Sequence, residues 1–387
     1  MTLQQVKTAK EAQELISQQA ANQRPVEIVG QGSKRTMGRA IKCDVLLDMS
    51  GLSGVNFYEQ SEMVVSAKAG TPISEINGLL AKGGQRLAFD PPSYATLLGS
   101  NKEPSIGGVL ATNSSGPSRL SKGAARDHFL GVEMINGKGE LIKNGGRVMK
   151  NVTGYDLCKL MAGSWGTLAA MTDVTLKTLP VQESRATLMV SDLTDEEAVK
   201  CMSAALGSPF DVVTAAHLPS KSVTAVQIEG LEKSVLYRLN ELKSDLAAFG
   251  DFETVFNEEG DAFWLEVKEV NSLLSRTHIV WRVSTTPTEG PELVKRLQHE
   301  CDLDAFYDWG GGLVWIGLDE NNADLDVRAS LVDLGGQALL FKAPERLRRE
   351  ANVFDPLPTG NRKLTEGVKR AFDPSAILNP GRQFRGI

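Results

Sequence analysis

Pro104-Ser105-Ile106-Gly107-Gly108-Val109-Leu110-Ala111-Thr112-Asn113-Ser114-Ser115-Gly116-Pro117 is the stretch on which the fold expectation turns. The small residues from Gly107 to Thr112 predict one or two turns of helix, closed by the turn formers Asn113, Ser114, Ser115 and Gly116. Glycine lets a backbone lie flat against a ligand. The first N–H groups of a helix lack partners inside it and attract phosphate oxygens. Asn and Ser add hydrogen-bonding groups without bulk. The combination suits a dinucleotide lying along the backbone. A tight helix–loop corner packed on a strand would carry the same residues.

A second stretch has the same character. Val26–Val29, behind Pro25, predicts a strand that runs into Gly30-Gln31-Gly32-Ser33-Lys34. Successive N–H groups in such a loop form an anion nest, and Lys34 would add charge. An ordinary strand–loop corner also contains Gly-x-Gly. Around these two stretches, Ala9–Ala21 has helical spacing, and Cys43–Asp48 and Met63–Ala69 read as strands. Ile73–Ala81 reads as a helix with Thr71 as N-cap. Phe129–Ile135 and Glu140–Lys143 make a hairpin, and Leu168–Leu179 is a further strand. No Gly-x-Gly-x-x-Gly opens a helix directly, so a Rossmann fold is not expected.

Composition changes at Gln182. Strands are predicted at Thr187–Val190, Val212–His217, Val223–Glu229, Phe252–Phe256, Trp264–Val267, Ile279–Thr285, Leu313–Leu318 and Ala338–Phe341. Amphipathic helices are predicted at Asp195–Ala205, Glu232–Phe249 and Pro291–His299. Two strand–helix–strand halves suggest a ferredoxin-like antiparallel sheet. The expectation is an α+β protein with domains at 1–181 and 182–343 and a C-terminal segment, 344–387. That segment has two helical pieces and a turn, Leu378-Asn379-Pro380-Gly381-Arg382.

The 387 residues leave room for two or three domains. A net charge of −6, from 42 basic and 48 acidic residues, argues against a nucleic-acid partner. No apolar run approaches the ~20 residues of a spanning helix. Met1–Lys10 is polar and lacks the apolar core of a secretory signal. Cys43, Cys158, Cys201 and Cys301 stand far apart and predict neither a metal pair nor an iron–sulfur centre. His128, His217, His278 and His299 are equally scattered, so no metal site is expected.

Several motifs carry a resemblance when taken in order and spacing. They are Val29–Lys34, Ala69-Gly70-Thr71, Asp90-Pro91-Pro92, Ser105–Gly116, Arg126-Asp127, Gly163–Thr167 and Asn379-Pro380-Gly381. Together they resemble the FAD-binding domain of the vanillyl-alcohol-oxidase and para-cresol-methylhydroxylase (PCMH) superfamily. Lys150–Leu157, Asp308–Trp315 and Leu378–Arg382 are similar to the FAD-binding subunits of glycolate oxidases, and this extends the resemblance over nearly the whole chain.

The resemblance implies a two-part PCMH-type FAD-binding domain, a ferredoxin-like cap and a tail returning to the first domain. It implies that Gly30, Gln31, Gly32, Ser33 and Lys34 hold the FAD pyrophosphate. Ser105, Gly107, Gly108, Asn113 and Ser115 would line its other side and the isoalloxazine. Pro91 would sit against the flavin or the adenine, and Ser164 and the strand near Val174 would close over the adenosine. Some relatives attach FAD covalently through a histidine where this chain has Ser33, so non-covalent FAD is expected.

Oxidation of a 2-hydroxy acid needs a proton acceptor and a cation for the carboxylate, while the flavin takes the hydride. Related D-2-hydroxyacid dehydrogenases carry a His-x-His-x-Gly-Asp-Gly-Asn cluster, which this sequence lacks. Arg282 and Tyr155 are thinkable site residues, but a sheet-surface ion pair and a packed ring are the plainer expectations, so no catalytic residue is assigned. The resemblance therefore implies an FAD-binding subunit of a multi-subunit glycolate oxidase, beside a catalytic flavin subunit and an iron–sulfur subunit. It would be cytoplasmic, or peripheral at the inner membrane through the complex. A self-sufficient 2-hydroxyacid dehydrogenase and an assembly subunit with a vestigial FAD pocket are the alternatives.

Overall fold

The computed structural model describes residues 1–147, 154–273, 276 and 278–387. The Lys150–Thr153 part of the Lys150–Leu157 motif lies outside them. The chain divides into two compact units. Unit 1 comprises Met1–Ser115, Gly123–Val181 and Arg348–Ile387. Unit 2 comprises Gly116–Lys122 and Gln182–Leu347. The short segment Gly116–Lys122 thus belongs with unit 2, although it lies within the expected first domain.

Unit 1 holds two main sheets. β1 (Thr2–Gln5), β2 (Val26–Val29) and β3 (Val45–Asp48) form a parallel sheet in the order β1-β3-β2. β4 (Val55–Glu59), β5 (Val64–Lys68), β7 (Phe129–Asn136), β8 (Leu141–Gly145) and β9 (Ala169–Lys177) form an antiparallel sheet in the order β4-β5-β9-β7-β8. Two short strands, β6 (Gln85–Arg86) and β10 (Leu179–Pro180), pair with each other. The apolar residues of the parallel sheet pack with Leu15, Ile16, Ile377 and Leu378 in one core. The antiparallel sheet packs on the helix Ile73–Lys82 and on the helix Ile106–Thr112 in a second core.

The outer edge of β2 is closed by the distant tail. Val26 donates its N–H to the Ile377 carbonyl at 2.8 Å, and Asn379 donates its N–H to the Val26 carbonyl at 2.9 Å. The Asn379 side-chain carbonyl then accepts from the Ile28 N–H at 2.8 Å, standing in for the next backbone carbonyl of a ladder. Lys369 secures the same tail. Its ammonium donates to the Thr167 and Leu378 carbonyls and to Asp373, at 2.7, 2.8 and 2.8 Å. Both members of this ion pair are buried, so each is satisfied only by the other and by backbone groups.

Unit 2 is one eight-stranded antiparallel sheet built from two similar modules. β11 (Ser184–Ser191), β12 (Val212–Leu218), β13 (Val223–Gly230) and β14 (Glu253–Phe256) lie in the order β14-β11-β13-β12. The helices Asp195–Gly207 and Glu232–Asp245 complete the β-α-β-β-α-β connection of a ferredoxin-like module. β15 (Ile279–Ser284), β16 (Asp304–Asp308), β17 (Leu313–Leu318) and β18 (Gln337–Lys342) repeat that arrangement in the order β16-β17-β15-β18. In this copy short 3₁₀ turns replace the second helix. The modules meet at β12 and β16 through one paired position, His217 with Tyr307. Tyr307 donates to Asp195 at 2.6 Å, and His217 Nε2 lies 3.3 Å from the same carboxylate.

Trp264–Val267, expected as a strand, lies inside the helix Glu258–Glu269. Gly260, Trp264 and Val267 are its buried residues, a spacing of one helical face. The Trp264 indole also donates to Thr187 Oγ1 at 3.0 Å. Burial of one helix face overrides the β preference of that short apolar run.

Candidate functional site

Within unit 1, the end of β2 and the helix Ile106–Thr112 line one cavity of about 750 Å³, counting the space at its open mouth. Gly30, Gly32, Ser33 and Lys34 contribute one wall, and Ser105, Gly107 and Gly108 another. The two walls touch. A Cβ added to Gly30 would fall 2.1 Å from Ser105 Oγ, so the loop can approach the helix only as glycine. Gly107 serves the same closeness elsewhere, since its added Cβ would lie 2.8 Å from the Ala69 carbonyl oxygen.

The walls differ in what they offer a ligand. The helix start is already occupied. The Ile106 N–H donates to the Thr71 carbonyl at 2.9 Å and the Gly107 N–H to the Ala69 carbonyl at 2.8 Å. The Gly108 N–H donates to Ser105 Oγ at 3.3 Å. The free helix-start amides expected from the sequence are therefore absent at these positions, because the turn that follows β5 presents the Ala69 and Thr71 carbonyls to them. The loop is the opposite. Among the described residues, no atom of the chain accepts a hydrogen bond from the backbone N–H of Gly30, Gln31, Gly32 or Ser33.

Charge beneath the loop matches an anion. Lys34 is 9% exposed and its ammonium approaches the Pro92 carbonyl at 3.5 Å. Glu27, also buried, receives a two-pronged contact from Arg35 at 3.0 and 2.7 Å, and Arg382 lies 3.9 Å away. One carboxylate thus faces two guanidinium groups, and Lys34 adds a third positive charge. Burial pushes the Arg382 guanidinium down to about 10, well above neutral pH, so it stays charged. It donates to the Arg39 and Arg35 carbonyls at 3.4 and 3.2 Å, fixing the chain that follows the loop. Four uncommitted amides in sequence over a net positive bed suit the diphosphate of a dinucleotide.

The other expected residues are placed differently. Gln31 turns its amide to the Gly70 carbonyl at 3.0 Å and does not line the cavity with its neighbours. Asn113 ends the helix in the left-handed region, φ 50°, and accepts from the Arg126 N–H. Ser115 Oγ accepts from the Ala125 N–H at 2.9 Å. Both side chains are engaged in holding that loop. Pro91 does not line the cavity; the next residue, Pro92, meets Lys34. Val174 is packed in the core through β9. Ser164 lines a different recess.

Residues absent from the expected set complete the cavity: Trp165, Gly166, Met171, Asn379 and Arg382 among them. Trp165 adopts φ 56°, and its carbonyl accepts from Asn379 Nδ2 at 2.7 Å. Its ring meets Phe354 edge-on at 5.2 Å. Trp165, Gly166, Asn379 and Arg382 fall within Gly163–Thr167 and Leu378–Arg382, two of the stretches that carry the family resemblance, whereas Met171 lies in none of them.

In unit 2, Asp308 is fully buried, and desolvation raises its carboxyl to about 7 even though it accepts from the Trp309 N–H at 2.7 Å. Arg282 is half-buried with its guanidinium 4.9 Å from the Trp309 ring centre, and Arg119 lies 4.7 Å from the same ring. Arg282 thus stacks on an aromatic ring. Tyr155 is 88% exposed, not a packed ring. His278 and His299 are exposed, and His217 is enclosed at the module seam. Among the described residues no group of three His, Cys, Asp or Glu could hold a metal ion, and no helix is long and apolar enough to cross a membrane.

Comparison with known proteins agrees with this geometry. Residues 3–145 match the family described as FAD binding domain. Glycolate oxidase subunit GlcE of Escherichia coli (strain K12) is 29% identical over 373 residues, covering 96% of each chain. Glycolate oxidase subunit GlcD of Bacillus subtilis (strain 168) is 26% identical, over 76% of this chain and 70% of its own. A crystal structure of p-cresol methylhydroxylase with substrate bound superposes with a TM-score of 0.76 at 15% identity, covering 99% of this chain and 88% of that one. The fold is PCMH-type, residues 3–145 match an FAD-binding domain, the cofactor is FAD, and the chain resembles FAD-dependent oxidoreductases of this fold.

Proposed function

We propose that this chain is the FAD-binding subunit of a multi-subunit glycolate oxidase that converts glycolate to glyoxylate, working beside a catalytic flavin subunit and an iron–sulfur subunit. The observation that carries this is the end-to-end similarity to a glycolate oxidase subunit, 96% of each chain, over a cavity whose donor set fits a diphosphate. The amides of Gly30, Gln31, Gly32 and Ser33 would bind the FAD pyrophosphate, with Lys34 and Arg382 supplying positive charge. Ser105, Gly107 and Gly108 shape the facing wall, while Asn113 and Ser115 hold the loop behind it. Bound FAD supplies a two-electron acceptor. Ser33 has no nucleophilic ring nitrogen for a flavin link, so the cofactor is dissociable and acid precipitation should release it into the supernatant.

A second reading, a self-sufficient 2-hydroxyacid dehydrogenase, is favoured by one observation. Asp308, raised to about 7, lies near the Arg282 cation, an acid–base group beside a carboxylate partner. The chain purified alone and mixed with glycolate under anaerobic conditions separates the two. Yellow protein that bleaches only after the partner subunits are added supports the subunit reading. Bleaching without them supports the second, and colourless protein that takes up no FAD refutes both.

A further inference from the structure

The helix Thr359–Phe372 leaves its apolar face incompletely covered. Leu364, Val368 and Phe372 repeat at intervals of four on that face, yet Leu364 is 71% exposed. Next to it lies a recess of about 810 Å³, lined by Leu160, Leu168, Leu364, Val368, Phe384 and Ile387. Lys369 contributes to the wall, but its ammonium is already held by three acceptors, so the recess is apolar in effect. The surrounding segment is basic. Arg348–Ile387 contains eight Lys and Arg against four Asp and Glu, a net charge of +4, so the other 347 residues carry −10. Lys363, beside Leu364, and Arg385, beside Phe384, are both exposed.

The recess shares a wall with the cofactor cavity. Within the loop Gly163–Ala169, Trp165, Gly166 and Ala169 line the cavity, whereas Gly163, Ser164, Thr167 and Leu168 line the recess. We propose that this recess is a docking socket for an apolar side chain carried on an acidic segment of another subunit of the assembly. The proposal rests on the subunit reading above. Charge complementarity selects an acidic partner. A planar lipid surface would leave so concave a recess unfilled. A second copy meeting this face symmetrically would set Lys363 and Arg385 against their own counterparts. The docked side chain steadies the loop Gly163–Ala169, and through Trp165 and Gly166 the cofactor cavity, so assembly slows FAD release.

The test co-expresses the full chain with the catalytic flavin subunit and the iron–sulfur subunit and recovers the complex through a tag on this chain. Leu364→Glu should lower partner recovery about tenfold, in the range of a lost interface anchor, and Lys363→Glu should lower it less. The isolated variants should keep wild-type FAD content and melting temperature, because both side chains are exposed. In the intact complex, carbodiimide should couple Lys363 to an Asp or Glu of a partner subunit. Full partner recovery by Leu364→Glu, or couplings of Lys363 only within its own chain, would overturn the socket while leaving the subunit reading intact. A wild-type chain that recovers neither subunit overturns both. Two further outcomes also overturn it with the subunits still attached: Leu364→Glu abolishing only sedimentation with phosphatidylglycerol vesicles, or only self-association.

Discussion

Gly30–Lys34 and Ser105–Gly108 face one cavity and look alike as sequence, but their backbones are committed differently. The amides at the helix start are spent on carbonyls from the Ala69–Thr71 turn and on Ser105 Oγ, whereas four amides of the loop have no acceptor among the described residues. The difference teaches that a glycine-bearing stretch becomes a ligand site only where the fold leaves its donors unpaired. The other stretch becomes scaffold.

Substitutions can break that contrast. Gly30→Ala should have the largest effect. Its methyl group would meet Ser105 Oγ and displace the loop, so FAD affinity should fall at least about tenfold, with about 1–3 kcal/mol lost in stability. Flavin titration and urea unfolding would show both. Next is Asn379→Ala, which leaves the Ile28 N–H and the Trp165 carbonyl without partners at the edge of the loop-bearing strand. About 2 kcal/mol is expected, since buried orphaned groups cost about 1–3 kcal/mol. Ser105→Ala should cost only about 1 kcal/mol, the usual weight of a helix cap, and change FAD affinity little. If Ser105→Ala loses FAD as completely as Gly30→Ala, the helix start is a cofactor contact after all. The double variant should cost less than the sum of its parts, because the serine hydroxyl is the atom the new methyl meets.

The smallest effect on the cofactor lies in unit 2. The Asp308 carboxyl is raised from its ordinary value to about 7, so the folded protein keeps a proton that the unfolded chain has released. The stability this confers is complete below about pH 4 and is lost as pH rises through 7. Asp308→Asn should therefore flatten the pH dependence, gaining stability relative to the parent at pH 8 but not at pH 4. FAD content should be unchanged. Thermal melts across that range would test it.

The sequence announced the loop after Val29 and the run after Pro104 as one site, because strand ends and glycine spacing are local signals. It could not say which amides would be spent, because their acceptors lie at Ala69 and Thr71, far away in the chain. Asn113 and Ser115 have the right chemistry for a ligand but are used to fix their own loop. Trp165, Asn379 and Arg382 carry no physical cue of their own for a cavity; only the resemblance motifs they belong to mark them, and the fold brings them together. In unit 2 the antiparallel sheet was legible from alternation. Its duplication was hidden because the second module has a 3₁₀ stretch where the first has a helix. Trp264–Val267 misled because three apolar residues among four, broken by Glu266, cannot by themselves distinguish a strand from a buried helical face.

The Asn379 contact has a consequence for how the protein comes into being. Its side chain reaches Ile28 across 351 positions of sequence. At about 5–20 residues per second, a ribosome takes on the order of 20–70 s to deliver it after the strand has emerged. Throughout that interval the edge of β2 stands open to other nascent chains, and the nucleotide pocket cannot be finished. Cofactor capture thus waits until Asn379 has left the ribosome.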